Sequence, residues 1–131
     1  MDTADLQIKT GQKSVMVLIT GQVAELVQQR GWQDGILTVF VPHTTAGVTI
    51  NENADPDVAR DMVWFVEQMV PNVSGFRHAE GNSDAHIKAS LFGSSVQVIV
   101  RAGRLWLGTW QGIYFCEFDG PRNRTIQVAF S

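Results

Sequence analysis

The three histidines of this 131-residue chain fall in two short polar stretches, His43-Thr-Thr-Ala-Gly47 and His78-Ala-Glu-Gly-Asn-Ser-Asp-Ala-His86. Imidazole is the commonest protein metal ligand and the side chain best suited to proton transfer near neutral pH. Polar groups surround them: Asn51, Glu52, Asn53, Asp55 and Asp57 follow the first stretch, and Glu80, Asn82, Ser83 and Asp84 lie inside the second. This clustering points to one shared polar site. Three histidines with an open coordination position suit a catalytic zinc, so His43, His78 and His86 are the expected ligands of one divalent metal, Zn²⁺ or Mg²⁺. Their spacing is not the His-x-x-x-His of a helical zinc site, so the fold or a neighbouring subunit has to bring them together.

Glu80 and Asp84, with Glu52 and Asp57 behind them, are candidate general acids or bases, or ligands of Mg²⁺ through water. Lys88 and Arg122 suit a phosphate, Arg122 as a bidentate donor. Thr45 and Asn82 add short polar contacts. Trp110 and Gln111 stand between Gly108 and Gly112 and could offer a stacking face and an amide to a flat ring. Each has a plainer role available. Asp55 and Asp57 suit helix capping, Arg122 could pair with Asp119 or Glu117 across a turn, and Trp110 could be a core residue at a β-bulge.

Composition narrows the classes. The net charge of −3 argues against nucleic acid as a partner, and no run of apolar residues reaches the length of a membrane span. Met1-Asp-Thr-Ala-Asp5 carries acid where a signal peptide needs positive charge, which predicts a cytoplasmic protein. Residues 1–76 hold nine acidic and four basic side chains, and residues 77–131 hold four and six. An acidic set for a cation and a basic set for a phosphate would fit one site. The single cysteine, Cys116, lies in an apolar run and reads as a core residue. Walker A, Gly-x-Gly-x-x-Gly and Gly-x-Ser-x-Gly patterns are absent, which leaves a P-loop, a dinucleotide fold and an α/β-hydrolase without support.

The elements that must position these residues are legible in outline. Leu6–Thr10 and Lys13–Ile19 are β-prone and, with Gly11-Gln12 between them, read as a hairpin. Thr20 is placed to cap a short helix with Val23, Leu26 and Val27 on one face and Gly31 as its stop. Gly35–Val41 and Gly47–Ile50 read as strands. Asp55-Pro56 opens the longest helix, whose apolar positions Val58, Met62, Phe65, Val66 and Met69 repeat at helical spacing before Pro71. Ser83 is expected to cap a helix over Asp84–Leu91, closed by Gly93. The rest reads as strands Val96–Val100, Leu105–Trp110, Ile113–Phe118 and Thr125–Phe130, joined as antiparallel hairpins. The expectation is one α+β domain over residues 1–131: an antiparallel, β-sandwich-like core, one long helix packed on it, and one or two short ones. Its strand edges favour oligomerisation.

The phrases His43-Thr-Thr-Ala-Gly-Val-Thr-Ile-Asn-Glu52, Asp55-Pro-Asp57, His78-Ala-Glu-Gly-Asn-Ser-Asp-Ala-His-Ile-Lys88, Leu107-Gly-Thr-Trp-Gln111 and Asp119-Gly-Pro-Arg122 occur in this order. Over about the whole chain they resemble the YjbQ-like family, also described as secondary thiamine-phosphate synthases. The resemblance implies a small α+β protein, usually a homotrimer, with a histidine-rich polar pocket. It also implies an activity joining a pyrimidine diphosphate to a thiazole phosphate with loss of pyrophosphate. The expected function is therefore a metal-dependent enzyme acting on a phosphorylated, ring-containing small molecule. A metal-dependent hydrolase and a non-catalytic small-molecule or metal-binding protein are the alternatives.

Overall fold

The structure is a computed structural model describing residues 1–131. Its elements are β1 (Asp2–Lys9), β2 (Val15–Leu18), α1 (Thr20–Arg30), β3 (Gly35–Phe40), β4 (Ala46–Glu52), α2 (Pro56–Met69), α3 (Ser83–Phe92), β5 (Ser95–Arg101), β6 (Arg104–Leu105), β7 (Gln111–Glu117) and β8 (Asn123–Phe130). Two sheets face each other, one of order β1-β8-β3-β5-β6 and one of order β2-β7-β4. Every pairing is antiparallel. The α+β, sandwich-like architecture is as the sequence implies.

Strand alternation builds the core. Leu37, Val39, Val98, Val100, Ile126 and Val128 point inward from the large sheet and meet Val48, Ile113 and Phe115 of the small one. The opposite face of β7, Tyr114 and Cys116, packs with Phe118 against Ala85 and Ala89 of α3. β7 is therefore buried on both faces, which explains its unbroken apolar run. Cys116 is fully buried, and burial alone pushes its thiol far above the ordinary range.

Three local expectations are corrected. β1 and β2 are not a hairpin: β1 pairs with β8 in the large sheet, and β2 pairs with β7 in the small one. The segment between them wraps the β7–β8 turn, where the Thr10 N–H donates to the Arg122 carbonyl and the Gly120 N–H to that of Lys13. The strands after Gly103 also differ from a chain of hairpins. β6 stops at Leu105, and β7 and β8 lie in different sheets. Thr20 does not cap α1; it is that helix's first residue, and its hydroxyl accepts from the Ile113 N–H across the sheet.

Other signals hold. Gly31 takes the left-handed conformation at the end of α1, with φ of 65°. Asp55 caps α2, its carboxylate accepting from the Asp57 N–H, with Pro56 at the first helical position. One signal beside them does not hold: the cap of α3 is Asn82 rather than Ser83, with no side-chain capping bond. α2 packs along β2 yet buries none of its residues fully, and Trp64, Phe65 and Met69 stay exposed.

Candidate functional site

At one end of the sandwich, inward-facing polar residues replace the apolar ones. Glu117 continues the inward alternation of Ile113 and Phe115, and Arg124 begins that of Ile126 and Val128. Both are almost completely buried. The Arg124 guanidinium donates through Nε and Nη2 to Glu117, and through Nη2 to the Thr45 hydroxyl at 2.8 Å. Glu117 also accepts from the Thr10 hydroxyl at 2.8 Å and from the Phe118 and Asp119 N–H groups at 3.1 and 3.0 Å. Burial alone would raise the Glu117 carboxyl. The Arg124 bonds, the Asp119 N–H and Thr10 outweigh it and hold the group below the ordinary carboxylate range. The pair is a buried ionic floor.

Above this floor lies a cavity of 390 Å³ with no hydrophobic residue in its wall. All three histidines line it. His43 comes from the β3–β4 loop, His78 and Glu80 from the loop before α3, and His86 from the first turns of α3. The β7–β8 turn adds Asp119 and Arg122. The His78 and His86 rings meet edge to face with centroids 5.5 Å apart, and His78 Nε2 stands 3.8 Å from Glu80 Oε1.

His43 is held by an unpaired stretch of strand. β3 ends where Phe40 pairs with Gln127, and Pro42 cannot continue the ladder. The backbone of Thr125 is thereby left open, and His43 Nε2 takes its place, 3.0 Å from the Thr125 carbonyl and 3.1 Å from its N–H. One ring nitrogen cannot donate and accept at once. The imidazole therefore serves either as a donor to the carbonyl with a basic Nδ1, or as an acceptor with Nδ1–H. Burial, and then the positive charge of Arg124, hold its pKa below the ordinary imidazole value. Both effects favour the neutral imidazole, and Nδ1 is free of any protein partner.

The predicted site residues divide. Thr45, Glu80, Asn82, Arg122 and the three histidines line the cavity. Asp84 and Lys88 do not. At about 100° per residue they lie across α3 from Asn82 and His86, and both are buried, at 1% and 0% exposure. Asp84 Oδ2 accepts from Lys88 at 3.0 Å and Lys13 at 3.2 Å, and Lys88 also reaches Glu67 of α2 at 3.1 Å. Burial opposes ionisation of Asp84, but Lys88 and Lys13 outweigh it and keep the carboxyl low. Its Oδ1 has no partner. The structure gives these two residues a place between helices, so neither wall nor base of the cavity is drawn from them.

Trp110 and Gln111 are exposed at the far end of the β4–β7 ladder, where Gln111 pairs with Glu52. The cavity lies beside the other end, where Glu117 pairs with Ala46, roughly 20 Å away along the strand. Glu52 shares that far end. Asp57 sits in the first turn of α2, bonded to Arg60. Arg122 stands in the cavity wall and also holds the turn, donating to the Asp119 carbonyl at 2.9 Å and its carboxylate at 3.1 Å.

The donor chemistry suits a transition metal, with three imidazoles on one cavity and the Glu80 and Asp119 carboxylates beside them. The spacing is more open than a closed ligand set, since no three ligating side chains stand within reach of one point. Sequence reasoning missed Glu117 and Arg124. Their inward phase within apolar β7 and β8 was the available signal.

The sequence pattern described as UPF0047 protein YjbQ-like matches residues 4–131. The UPF0047 protein YugU of Bacillus subtilis is 53% identical over 124 residues, 94% of each chain. A UPF0047 protein of Methanocaldococcus jannaschii is 51% identical over 122 residues, 93% of this chain and 88% of its own. The crystal structure of a YjbQ/UPF0047-family protein from Clostridium acetobutylicum superposes with a TM-score of 0.93 at 52% identity, over 98% of this chain and 99% of that one. No helix is long and apolar enough to cross a membrane.

Proposed function

The chain belongs to the YjbQ-like UPF0047 family, and from that premise we propose that its histidine cavity binds a small phosphorylated molecule and acts on it with a divalent metal. The observation that carries this reading is the gathering of His43, His78 and His86 on one cavity with a wall free of hydrophobic residues. His78 and His86 would hold the metal first, with His43 closing from across the cavity. Zn²⁺ fits these nitrogen donors better than Mg²⁺ does. When bound, such an ion supplies positive charge to phosphate oxygens.

Within this class the cavity favours hydrolysis. An open, uniformly polar site admits water as the nucleophile, and Glu80, in the cavity wall, accepts its proton. Water oxygen bonds to phosphorus as the ester P–O bond breaks, and Glu80 returns the proton it took from the water to the departing alkoxide. Arg122 steadies the phosphate oxygens. The thiamine-phosphate-synthase-type condensation is the second reading and rests on the resemblance. It has to exclude water and hold two rings, and Lys88 and Trp110, expected to assist it, stand outside the cavity of one protomer.

Phosphate release from a panel of phosphomonoesters, with Zn²⁺ or Mn²⁺ added, tests the proposal. Wild type should release phosphate, and Glu80→Gln should slow it by about 10²-fold or more. Failure of wild type to bind or release phosphate would refute it. Ligand binding without turnover would leave a binding protein, and pyrophosphate release from paired pyrimidine and thiazole substrates would restore the condensation. We also propose a homotrimer, supported by the exposed Trp64, Phe65 and Met69 of α2. A stable monomer in sedimentation at micromolar concentration would refute it.

A further inference from the structure

A second cavity, of 480 Å³, adjoins the first, and His43, Thr44 and His86 line both. The two differ in chemistry. The first carries Glu80, Asp119, Arg122 and Arg124. The second adds only Ala46, Ala89, Ser90, Gly93 and Ser94. A charged group there would find no counter-ion beyond the shared histidines, whereas an uncharged one would meet two methyl groups and a rim of hydroxyls.

Its far wall is preformed. The α3–β5 turn is clamped on both sides, the Val48 N–H donating to the Gly93 carbonyl at 3.1 Å and the Val41 N–H to that of Ser94 at 2.8 Å. Gly47 allows this approach, since a Cβ there would stand 2.6 Å from the Gly93 oxygen. The Ser90 hydroxyl donates to the His86 carbonyl at 3.0 Å, which leaves its oxygen as an acceptor toward the cavity.

We infer that the two cavities form one bipartite site. The charged compartment takes a phosphate, and the second takes the uncharged organic part of the same molecule. The linking ester oxygen then lies at the junction, against His43 and His86. The substrate class is thus a phosphate monoester of an uncharged alcohol that carries both apolar surface and a hydrogen-bonding edge. This rests on the phosphate reading above and deepens it.

Inorganic phosphate and phenyl phosphate, titrated into the zinc-supplemented protein by calorimetry, separate the two claims. Phenyl phosphate should bind roughly tenfold more tightly, the worth of partly burying one ring. Ser90→Phe and Ser94→Phe, both at exposed positions, should erase that increment and keep inorganic phosphate within about twofold. Transferred NOEs from the ring protons to the Ala46 and Ala89 methyls place the ring without any substitution. Equal affinity for the two ligands, an increment that survives both variants, or bound ring protons giving no such NOEs would overturn the subsite alone. Absence of inorganic phosphate binding in wild type would overturn the phosphate reading and the subsite with it.

Discussion

On one face of α3, Asn82, His86 and Ser90 border open cavities; on the other, Asp84 and Lys88 are closed into ion pairs with Lys13 and Glu67. Both faces are polar, and both arise from one run of sequence. What separates them is burial and charge pairing, with Asp84 Oδ1 alone left unpartnered on the closed face. Lys88 has no exposure and two carboxylate partners, so its charge serves to hold α3 against α2. His86 is partly exposed, and neither ring nitrogen is hydrogen-bonded. The Glu117–Arg124 pair repeats the first case beneath the cavity. A buried charge paired with an opposite one is scaffold, and an exposed group with spare valence is available for chemistry.

Removing the scaffold charges is the strongest way to break this comparison. Arg124→Met strands Glu117 in the core and should cost about 3–5 kcal/mol of stability in urea denaturation. Lys88→Met should cost somewhat less, because Lys13 stays beside Asp84. If Lys88→Met instead kept its stability and lost phosphate affinity, Lys88 would belong to the site.

Next in size is loss of the metal. His43→Ala, His78→Ala and His86→Ala should each lower zinc content while His86→Ala stays within about 0.5 kcal/mol of wild-type stability. Full occupancy in all three variants by elemental analysis would dismiss the metal site.

Arg122→Ala sharpens the boundary, since this residue belongs to both categories. A charged hydrogen bond is worth on the order of 1.5–3 kcal/mol, so a phosphorylated ligand should weaken roughly tenfold or more, with its dephosphorylated analogue little changed. A lowered melting temperature at unchanged affinity would assign Arg122 to the turn.

The smallest effect is in pH. Glu117, Asp84 and Glu67 are all lowered in the fold. Their stabilisation is complete above ordinary carboxylate values and is lost as pH falls through the lower folded ones. His43 is also lowered, so below about pH 6.5 the unfolded chain takes up its proton first. Stability should therefore fall between there and the lower folded value, and His43→Gln should flatten that slope in urea titrations at stepped pH. An unchanged slope would show that His43 is not held neutral by the fold.

Much of the candidate site's grouping was legible because types and short spacings are local. The histidines, Glu80, Asn82 and Arg122 do share a cavity. Asp84 and Lys88 were misplaced by a matter of phase: two residues along a helix is a turn of about 200°, and a polar stretch does not disclose which phase is buried. Trp110 and Gln111 were grouped with the site by type, and the length of the β4–β7 ladder separates them from it within one protomer.

The sequence by itself determined most of the elements and several of their ends, because these follow from short-range physics. Asp55-Pro56 opens α2, Gly31 closes α1, and alternation marks the inward faces of β3, β5 and β8. Only the tertiary structure decided which strands pair. Leu6–Thr10 and Lys13–Ile19 are adjacent and β-prone, yet they join different sheets, because the segment between them bonds to the β7–β8 turn more than a hundred residues later. Local propensity can specify a strand. Its partner is chosen by which long-range contacts bury its apolar face and satisfy its backbone, and those contacts exist only once the chain has folded.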